Sequence, residues 1–589
     1  MNTLHQCWHS GNYSLLSHTD MPVNGCGPLG VVIVPSFGWE DVCSYRPLRF
    51  MGQMFAAHGI PTLRFDLPGT GDSSGGAQDP GLFEAWVQSI GDAAAELRAT
   101  AGVQDVAVLG IRLGALLTIV AATRGFDFQD LVLWGPSATG HAVLRELRAF
   151  SKMERQEYAT ANDAPPQPVP GMEVAGFLLS PETEGALEGL DLRDLSGIPR
   201  RRVLVLSRDE FVTDAALIAA LNEAGCSVTV ESGHGYGAMM ALPDEAVPPL
   251  AASRVILKFL INGYAGEHAG GHAQSSKSEA RRHSAPVLND AKVLETICPI
   301  GPPSMSMFGI LSEPNWKEPR SELGALFLNP GGVRHIGPNR MWVEAARRWA
   351  DQGIASLRLD LLGIGESDGE PKLDIPSLYQ DHLVDQVEGA KEVLRSRLGV
   401  RQFIAIGLCS GAFWAFHLAA RNEDVRAAIL LNPRLLFWDA TVDRQRVLRR
   451  LFSGAHWRRI ARGDMTRETF KRGVRMVLYS FRKPPVGADS RNARKASVPQ
   501  SRTQVWQALE RSQTRLTMVF TEGEPLLREM ERAGFVPTAP GSHIRCIRIA
   551  NAGHTFRPLW AQSLAHEIMD AEVNAVLCGV ARGSLVKAS

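Results

Sequence analysis

Short apolar runs alternate with helical stretches in two successive series along this chain. The first series places apolar runs at residues 30–38, 61–66, 106–110, 131–136, 201–207 and 227–232, with helical stretches near 47–58 and 82–100. The same order recurs after residue 285, as ALFLNPGG, SLRLD, FIAIG, AAILLNP, LTMVF and IRCIRIA. Strands that alternate with helices form parallel sheets covered on both faces. The pattern therefore predicts an α/β fold with two mostly parallel sheets, each flanked by helices.

One turn motif occurs in both series, with a different central residue in each. GVQDVAVLGIRLGA (102–115) matches GVRQFIAIGLCSGA (399–412), and LRFDLPGTGDSSG (63–75) matches LRLDLLGIGESDG (357–369). The first pair reads as a β-branched run, Gly-x-X-x-Gly, and an apolar helical stretch. This is the context of a nucleophile elbow, where the central residue sits on a strained turn between strand and helix. The central residue is Arg112 in the first copy and Cys409 in the second.

A polar segment and two long insertions organise the chain. Residues 265–285 are rich in Gly, Ser and Ala and lack apolar periodicity, so we predict a linker between domains at 1–264 and 286–589, here named the first half and the second half. Each half has an insertion after its fourth strand, at about 137–200 and about 434–514. Structureless connections rarely exceed about 15 residues, so both insertions are predicted to be caps. The second is rich in Arg and Lys.

Composition limits the class of protein and its surroundings. The 589 residues are 45% hydrophobic and 21% charged, as in ordinary globular proteins, and the formal net charge is zero. We therefore expect no nucleic-acid partner, and the absence of a long apolar run predicts no membrane span. The N-terminus lacks signal-peptide features, and the eight cysteines form no CxxC pair. We expect a cytoplasmic protein without a metal or a cofactor.

The box Gly407-Leu408-Cys409-Ser410-Gly411 and its strand context resemble the α/β-hydrolase superfamily, and the resemblance extends over nearly the whole chain. A cysteine in this box is similar to that of dienelactone hydrolases and polyhydroxyalkanoate synthases. In this superfamily the nucleophile, the acid and the histidine follow in that order along the chain. The resemblance implies that each half is an α/β-hydrolase domain with a cap insertion.

Candidate catalytic groups are found in the second half. An arginine cannot attack a carbonyl because its guanidinium stays protonated, whereas a cysteine can, provided that a base and an orienting carboxylate assist it. The strand LTMVF runs into Glu524, with Glu522 in reserve, and IRCIRIA runs into a loop that contains His554. We predict a triad of Cys409, His554 and Glu524. The alternative is a buried structural thiol and an unrelated surface histidine.

The oxyanion hole is predicted to combine two backbone N–H groups. One belongs to Ser410, and the other to Gly332 or Val333 in the loop after the strand ALFLN. Glycine allows the backbone to approach a developing oxyanion closely. The alternative is that the loop is only a tight turn after a strand.

The first half keeps other triad positions without a nucleophile. Asp209 or Glu210 follows the strand at 201–207, and His234 follows the strand at 227–232. Three interpretations of Arg112 stay open. It anchors a substrate carboxylate or phosphate, it pairs internally with Asp209, or it belongs to a decayed duplicate kept for stability.

Two finer resemblances bear on the pathway. The first box, with GYGAMM at 235–240, resembles the exosortase-A-associated hydrolase type 2 group, and the second box, with RHIGPNR at 334–340, resembles the type 1 group. Relatives of these groups occur beside acyl-carrier and acyl-activating proteins of surface polysaccharide or lipid biosynthesis. The resemblance therefore implies chemistry linked to an acyl carrier.

These features predict an acyl-transfer enzyme that works through an acyl-cysteine intermediate. A cysteine thioester forms readily from another thioester, so we expect an acyl-carrier protein or CoA thioester as donor and a small-molecule acyl acceptor, in the biosynthesis of a lipid, polysaccharide or secondary metabolite. The basic insertion favours an anionic donor, although a solvated helical surface also explains it. Water as acceptor gives a thioesterase or esterase, and an alcohol, amine or sugar gives an acyltransferase. The alternatives are a silent scaffold for an acyl carrier and a lactone hydrolase.

Overall fold

The computed structural model describes residues 3–158, 169–195, 197–209, 211–267, 287–289, 292–316, 321–371, 376–437, 502–534 and 543–587. Most of the predicted linker and most of the second predicted cap lie outside these residues, as does Glu210. By internal contacts the chain divides into two compact units, residues 1–434 with 513–589, and residues 435–512. The first unit contains both large sheets. The domain boundaries at 264 and 286 stay predictions.

The first sheet has eight strands in the described residues, in the order β1-β2-β4-β3-β5-β6-β9-β10. Its strands are β1 (Thr3–Ser10), β2 (Ser14–Met21), β3 (Leu29–Val34), β4 (Thr62–Phe65), β5 (Asp105–Ile111), β6 (Asp130–Trp134), β9 (Arg202–Leu206) and β10 (Ser227–Glu231). A separate hairpin consists of β7 (Met172–Val174) and β8 (Phe177–Leu179). Strand β2 is antiparallel to its neighbours β1 and β4, and the strands from β4 to β10 are parallel.

The second sheet repeats this order with one additional edge strand, as β11-β12-β13-β15-β14-β16-β17-β18-β19. Its strands are β11 (Val287–Asn289), β12 (Val293–Ile297), β13 (Phe308–Pro314), β14 (Leu323–Leu328), β15 (Ala355–Asp360), β16 (Gln402–Leu408), β17 (Val425–Leu431), β18 (Arg515–Thr521) and β19 (Ile544–Ile549). The first three are antiparallel to their neighbours, and the strands from β15 to β19 are parallel.

Helices connect the strands and cover the sheets. Those of the first half are α1 (Trp39–Ala57), α2 (Leu82–Ala101), α3 (Leu113–Thr123), α4 (Gly140–Tyr158), α5 (Pro181–Glu188), α6 (Ala215–Glu223), α7 (Tyr236–Met239) and α8 (Leu250–Glu267). Those of the second are α9 (Met341–Ala350), α10 (Asp381–Leu398), α11 (Ser410–Arg421), α12 (Arg502–Ser512), α13 (Pro525–Arg532) and α14 (Leu559–Lys587), with short 3-10 turns at Pro338–Arg340 and Pro376–Leu378. The prediction of two mostly parallel sheets flanked by helices is confirmed.

Some predicted boundaries differ from the structure. The helix expected near 47–58 begins at Trp39, so Pro47 lies inside it, and the burial of Val42, Tyr45 and Leu48 offsets the hydrogen bond that proline cannot make. The first insertion contains α4, the β7–β8 hairpin and α5. Helix α8 continues to Glu267, into the segment predicted as a linker.

Buried charges join the two halves within the first unit. The repeated loops 66–73 and 360–367 face each other, and His335 contacts Asp72 at 2.7 Å and Asp360 at 2.8 Å. Arg64 reaches Glu366 of the other half at 2.8 Å, and Arg358 contacts Asp72. Losing one member of a buried ion pair typically costs about 3–5 kcal/mol, because the partner charge stays buried. The two halves are therefore expected to depend on each other for folding.

Among the described residues, every helix is too short or too polar to cross a lipid bilayer.

Candidate active site

The two elbows have the same strained backbone. Cys409 has φ 58° and ψ −111°, and Arg112 has φ 55° and ψ −113°. Positive φ is uncommon for residues other than glycine and persists where the surrounding structure enforces it. A Cβ on Gly407 would lie 2.1 Å from the carbonyl carbon of Gly411, and Gly110 is restricted in the same way in the first half. Both glycine-flanked boxes therefore form the predicted turn.

Cys409, His554 and Glu524 lie together at the carboxyl ends of the strands β16, β19 and β18. The Cys409 thiol and the His554 imidazole lie close enough for each to shift the pKa of the other. Nδ1 of His554 bonds Oε1 of Glu524 at 2.8 Å. Glu522, the reserve candidate, instead accepts a hydrogen bond from the Asn551 N–H at 3.4 Å. This edge of a parallel sheet is where α/β folds bind ligands.

Cys409 and His554 each shift the pKa of the other. Burial raises the pKa of Cys409, but hydrogen bonding to His554, the charge of His554, a hydrogen bond from Tyr379 and the charge of Arg434 outweigh it, so the pKa lies below its ordinary value. Burial lowers the pKa of His554, but hydrogen bonds to Cys409 and Glu524 raise it to about 10. Both shifts favour a thiolate beside an imidazolium, compared with the two groups apart in water.

Tyr379 is a site residue that the sequence analysis missed. Its hydroxyl lies 3.7 Å from Sγ of Cys409, and the residue is buried. Its ring packs edge-on against Phe413, with ring centroids 5.3 Å apart, and the carbonyl of Leu378 accepts a hydrogen bond from Trp414 at 2.8 Å. Tyr379 follows a 3-10 turn between β15 and α10, where no local pattern indicates proximity to the elbow.

Asn432 is a second residue that was missed, and it connects the loops that carry the triad. It follows β17 with φ 41°. Its amide nitrogen donates to the carbonyl of His554 at 2.8 Å and to the hydroxyl of Thr521 at 3.0 Å, and its amide oxygen accepts from the Thr521 N–H at 2.7 Å. A polar residue that ends the apolar run AAILLN was the available signal.

The oxyanion-hole candidates differ in their hydrogen bonding. Ser410 is the first residue of α11, and the N–H groups of a first helical turn lack intrahelical acceptors. The Val333 N–H donates to a carbonyl of its own loop at 3.2 Å, which leaves Gly332 as the better candidate of the two. A Cβ on Gly332 would lie 2.7 Å from the backbone nitrogen of Asp244, so a first-half loop packs directly against it. The Gly331 N–H donates to the Ser410 hydroxyl at 3.0 Å.

The first-half elbow is filled by ion pairs. The guanidinium of Arg112 contacts the carboxylate of Glu146, and its Nη1 donates to the carbonyl of Gly135 at 2.8 Å. Its Nε lies 3.5 Å from Glu40. Arg208 also contacts Glu146, at 3.1 Å. The carboxylates of Glu146 and Glu40 thus lie where an anionic substrate would have to bind the guanidinium of Arg112.

One of the three interpretations of Arg112, an internal pairing with Asp209, therefore names the wrong partner, since Arg112 pairs with Glu146 and Glu40. The Asp209 carboxylate accepts hydrogen bonds from the N–H groups of Gly235, at 2.7 Å, and Gly237, at 2.5 Å. His234 lies 3.7 Å from Asp209, and its side chain is 80% exposed. Glu146 lies on α4, within the first insertion. The order of the strands does not predict where the side chains of an insertion lie.

Within the described part of the chain, no group of three or more His, Cys, Asp or Glu side chains is arranged to hold a metal ion.

Comparison with known proteins agrees with this architecture. Residues 325–460, from β14 through the second elbow, match the family model described as alpha/beta hydrolase fold. A polyketide transferase, grgF of a Penicillium species, is 35% identical over 120 residues, which are 20% of this chain and 40% of that protein. The match thus spans well under two thirds of this relative.

Two solved structures are similar at low identity. Est1E from Butyrivibrio proteoclasticus, with ferulic acid bound, is 18% identical with a TM-score of 0.33, over 44% of this chain and 100% of that one. A dienelactone hydrolase from Anabaena variabilis is 14% identical with a TM-score of 0.29, over 47% of this chain and 95% of that one. These similarities are too weak to bear on activity. The structure of the chain is an α/β fold with two mostly parallel sheets flanked by helices, and the match to the alpha/beta hydrolase fold covers residues 325–460.

Proposed function

We propose that the chain is an acyl-transfer enzyme with Cys409 as its nucleophile. The observation that carries the proposal is the strained elbow of Cys409, with His554 beside the thiol and Glu524 bonded to that histidine at 2.8 Å. The fold and the short similarity to a polyketide transferase suggest acyl-related esterase or transferase activity in general. The cysteine and its partners make the proposal specific.

The proposed acyl transfer has two steps. The Cys409 thiolate attacks the acyl carbonyl, a carbon–sulfur bond forms, and the bond to the leaving group breaks while the His554 imidazolium gives its proton to that group. An acceptor then attacks the acyl-cysteine and loses its proton to His554, and the thiolate leaves. Glu524 stabilises the imidazolium and fixes the orientation of its ring.

Three hydrogen-bond donors are proposed to stabilise negative charge in the site. The N–H groups of Ser410 and Gly332 are proposed to bind the oxyanion of the tetrahedral intermediate. The Tyr379 hydroxyl, 3.7 Å from Sγ, is proposed to stabilise the thiolate before the attack. Removing one oxyanion-hole donor typically lowers kcat by about 100- to 1,000-fold.

The donor is proposed to be an acyl thioester on a carrier protein or on CoA. Exchange between two thioesters is nearly isoenergetic, whereas a cysteine thioester forms uphill from an oxygen ester. The motif resemblance to the exosortase-A-associated groups supports a carrier-linked donor and a role in lipid, polysaccharide or secondary-metabolite biosynthesis in the cytoplasm. We also propose that residues 1–264 and 286–589 are two tandem α/β-hydrolase domains, of which only the second is catalytic.

Intact-mass spectrometry tests this function directly. The full chain is incubated with acyl-CoA, acyl-pantetheine and simple acyl esters, and the mass of the protein is followed. We expect an acyl adduct in the wild type and in Cys578→Ala, which removes an exposed cysteine, and none in Cys409→Ala. No adduct and no turnover with any donor would contradict the proposal and favour a silent scaffold. Turnover of lactones alone, without a thioester, would favour a lactone hydrolase.

A further inference from the structure

We propose that the first half, which has no nucleophile, holds the His554 loop of the second half in its working conformation, with Glu154 and Gly176 as positioning residues. This inference rests on the proposed function of the Cys409 site. It assigns a role to the half whose elbow is filled by ion pairs.

The loop that carries His554 is strained and needs external support. Asn551 has φ 56° and Phe556 has φ 53°, so a left-handed residue lies on each side of the histidine. Such residues cost about 1–3 kcal/mol each and persist only where neighbouring structure over-determines them. Asn432 supplies one such contact from within the second half, through the carbonyl of His554.

The first contact from the first half is ionic. Arg557, three residues after His554, pairs with Glu154 on α4 in the first insertion. The Arg557 guanidinium also lies over the ring of Trp39, 4.3 Å from its centroid, at the start of α1. The Glu154 and Arg557 side chains are 16% and 12% exposed, so solvent screens this pair much less than a surface pair.

The second contact is a close approach of two backbones. Gly176, between β7 and β8, accepts a hydrogen bond from Gln562 at 2.9 Å, and the same amide donates to the Arg557 carbonyl at 3.1 Å. A Cβ on Gly176 would lie 2.7 Å from the Arg557 carbonyl oxygen and 2.7 Å from the Asn339 side chain. Asn339 in turn donates to the Thr555 carbonyl at 3.1 Å. The β7–β8 hairpin thus packs directly against the residues that follow His554.

A looser loop would weaken the interaction of His554 with Cys409. Displacements of about 1 Å far from the reacting atoms can lower rates about 100-fold. The groups that set the charge of His554 are Cys409 and Glu524, and both belong to the second half. A change in Cys409 reactivity after substitution in the first half therefore reports the position of the loop.

The experiment uses the full chain and the rate at which iodoacetamide alkylates Cys409, followed by peptide mass spectrometry across a pH series. The test variants are Glu154→Gln, which removes the ion pair at nearly constant volume, and Gly176→Ala, which changes no charge. Their matched controls lie in the same insertion. Glu188→Gln alters an exposed pair with Arg148, and a Cβ on Gly185 would meet nothing within 4 Å in Gly185→Ala.

We expect both test variants to slow the alkylation of Cys409 at pH 7 about tenfold and to move the midpoint of the pH profile upward, because the thiolate loses part of its stabilisation. The controls should match the wild type. Test variants that retain the thermal stability of their controls and the wild-type pH profile would overturn the inference. If one test variant does not fold, the other decides.

The inference and the proposed function fail separately. An acyl adduct that depends on Cys409, together with unchanged alkylation profiles, would retain the function and remove the positioning role. Shifted profiles without any acyl adduct would retain the positioning role and remove the function.

Discussion

The two elbows of this chain have the same backbone conformation, but the side chains around their central residues differ. Cys409 and Arg112 agree within a few degrees in φ and ψ, because both boxes place glycines where a side chain would collide with the following helix. Cys409 lies beside the imidazole of His554 and the phenol of Tyr379. Arg112 instead pairs with the carboxylates of Glu146 and Glu40. The comparison teaches that glycine spacing specifies the turn, while the chemistry depends on distant side chains.

The histidines of the two halves differ in the same sense. His554 bonds a buried glutamate at 2.8 Å, while His234 is mostly exposed and 3.7 Å from Asp209. Asp209 is occupied by backbone N–H groups instead. In the first half the acid and the histidine are therefore farther apart than in the second, and the elbow carries an arginine.

The largest expected effect comes from removing the base of the second elbow. In His554→Ala the thiol of Cys409 keeps its burial and loses the imidazolium, so its pKa rises above the ordinary value. We expect alkylation of Cys409 by iodoacetamide at pH 7 to slow at least about 100-fold, since each pKa unit removes about tenfold of the thiolate. A reaction as fast as in the wild type would show that the imidazole does not activate the sulfur.

The comparison is sharpened by placing a thiol on the first elbow. Arg112→Cys gives two thiols on equivalent turns, one beside Glu146 and Glu40 and the other beside His554. The neighbouring carboxylates raise the pKa of the new thiol, so we expect it to react at pH 7 about 100-fold more slowly than Cys409. Peptide mass spectrometry distinguishes the two sites within one sample. Equal rates would mean that the turn alone activates a thiol.

A smaller effect is expected from the orienting acid. Glu524→Gln removes a hydrogen bond to a carboxylate that raises the pKa of His554, so the imidazolium is lost at a lower pH. The thiolate then loses part of its counter-charge, and the midpoint for alkylation of Cys409 moves upward. We expect about a tenfold slower reaction at pH 6, and Glu522→Gln as the matched control should behave as the wild type. Equal effects of both substitutions would contradict the assignment of Glu524.

The smallest effect is expected at Tyr379. Tyr379→Phe keeps the ring packing against Phe413 and removes one hydrogen bond to the sulfur. A hydrogen bond to a charged group contributes about 1.5–3 kcal/mol, but at 3.7 Å the contact is long, so we expect a change of about three- to tenfold in the alkylation rate at pH 7. Unchanged alkylation would place the hydroxyl outside the site.

The sequence predicted the parts of the fold that depend on local pattern. Apolar runs located the parallel strands β3 to β6, β9, β10 and β14 to β19, but the antiparallel strands β1, β2 and β11 to β13 were not predicted. The glycine spacing located both elbows. Glu524 and His554 were predicted because each follows directly after a strand, and the carboxyl ends of parallel strands share one edge of the sheet. Those residues do lie together in the structure.

Long-range pairing explains what the sequence could not predict. Glu146 and Glu154 lie on a helix of an insertion, and nothing local indicates that they contact Arg112 and Arg557. The RHIGPNR motif supported a family resemblance, yet in the structure His335 is buried between two aspartates, one from each half. Such contacts depend on how the two halves pack against each other, and the spacing of residues along the chain does not predict that packing.

The lowered pKa of Cys409 beside His554 is the central claim, and the ultraviolet absorbance of its thiolate tests it most directly. The difference between the wild type and Cys409→Ala is recorded across a pH series. The claim predicts a thiolate that forms at a lower pH than that of an ordinary thiol, because the pKa of Cys409 is lowered. A thiolate that forms only at or above the ordinary thiol pKa, near 9, would contradict it.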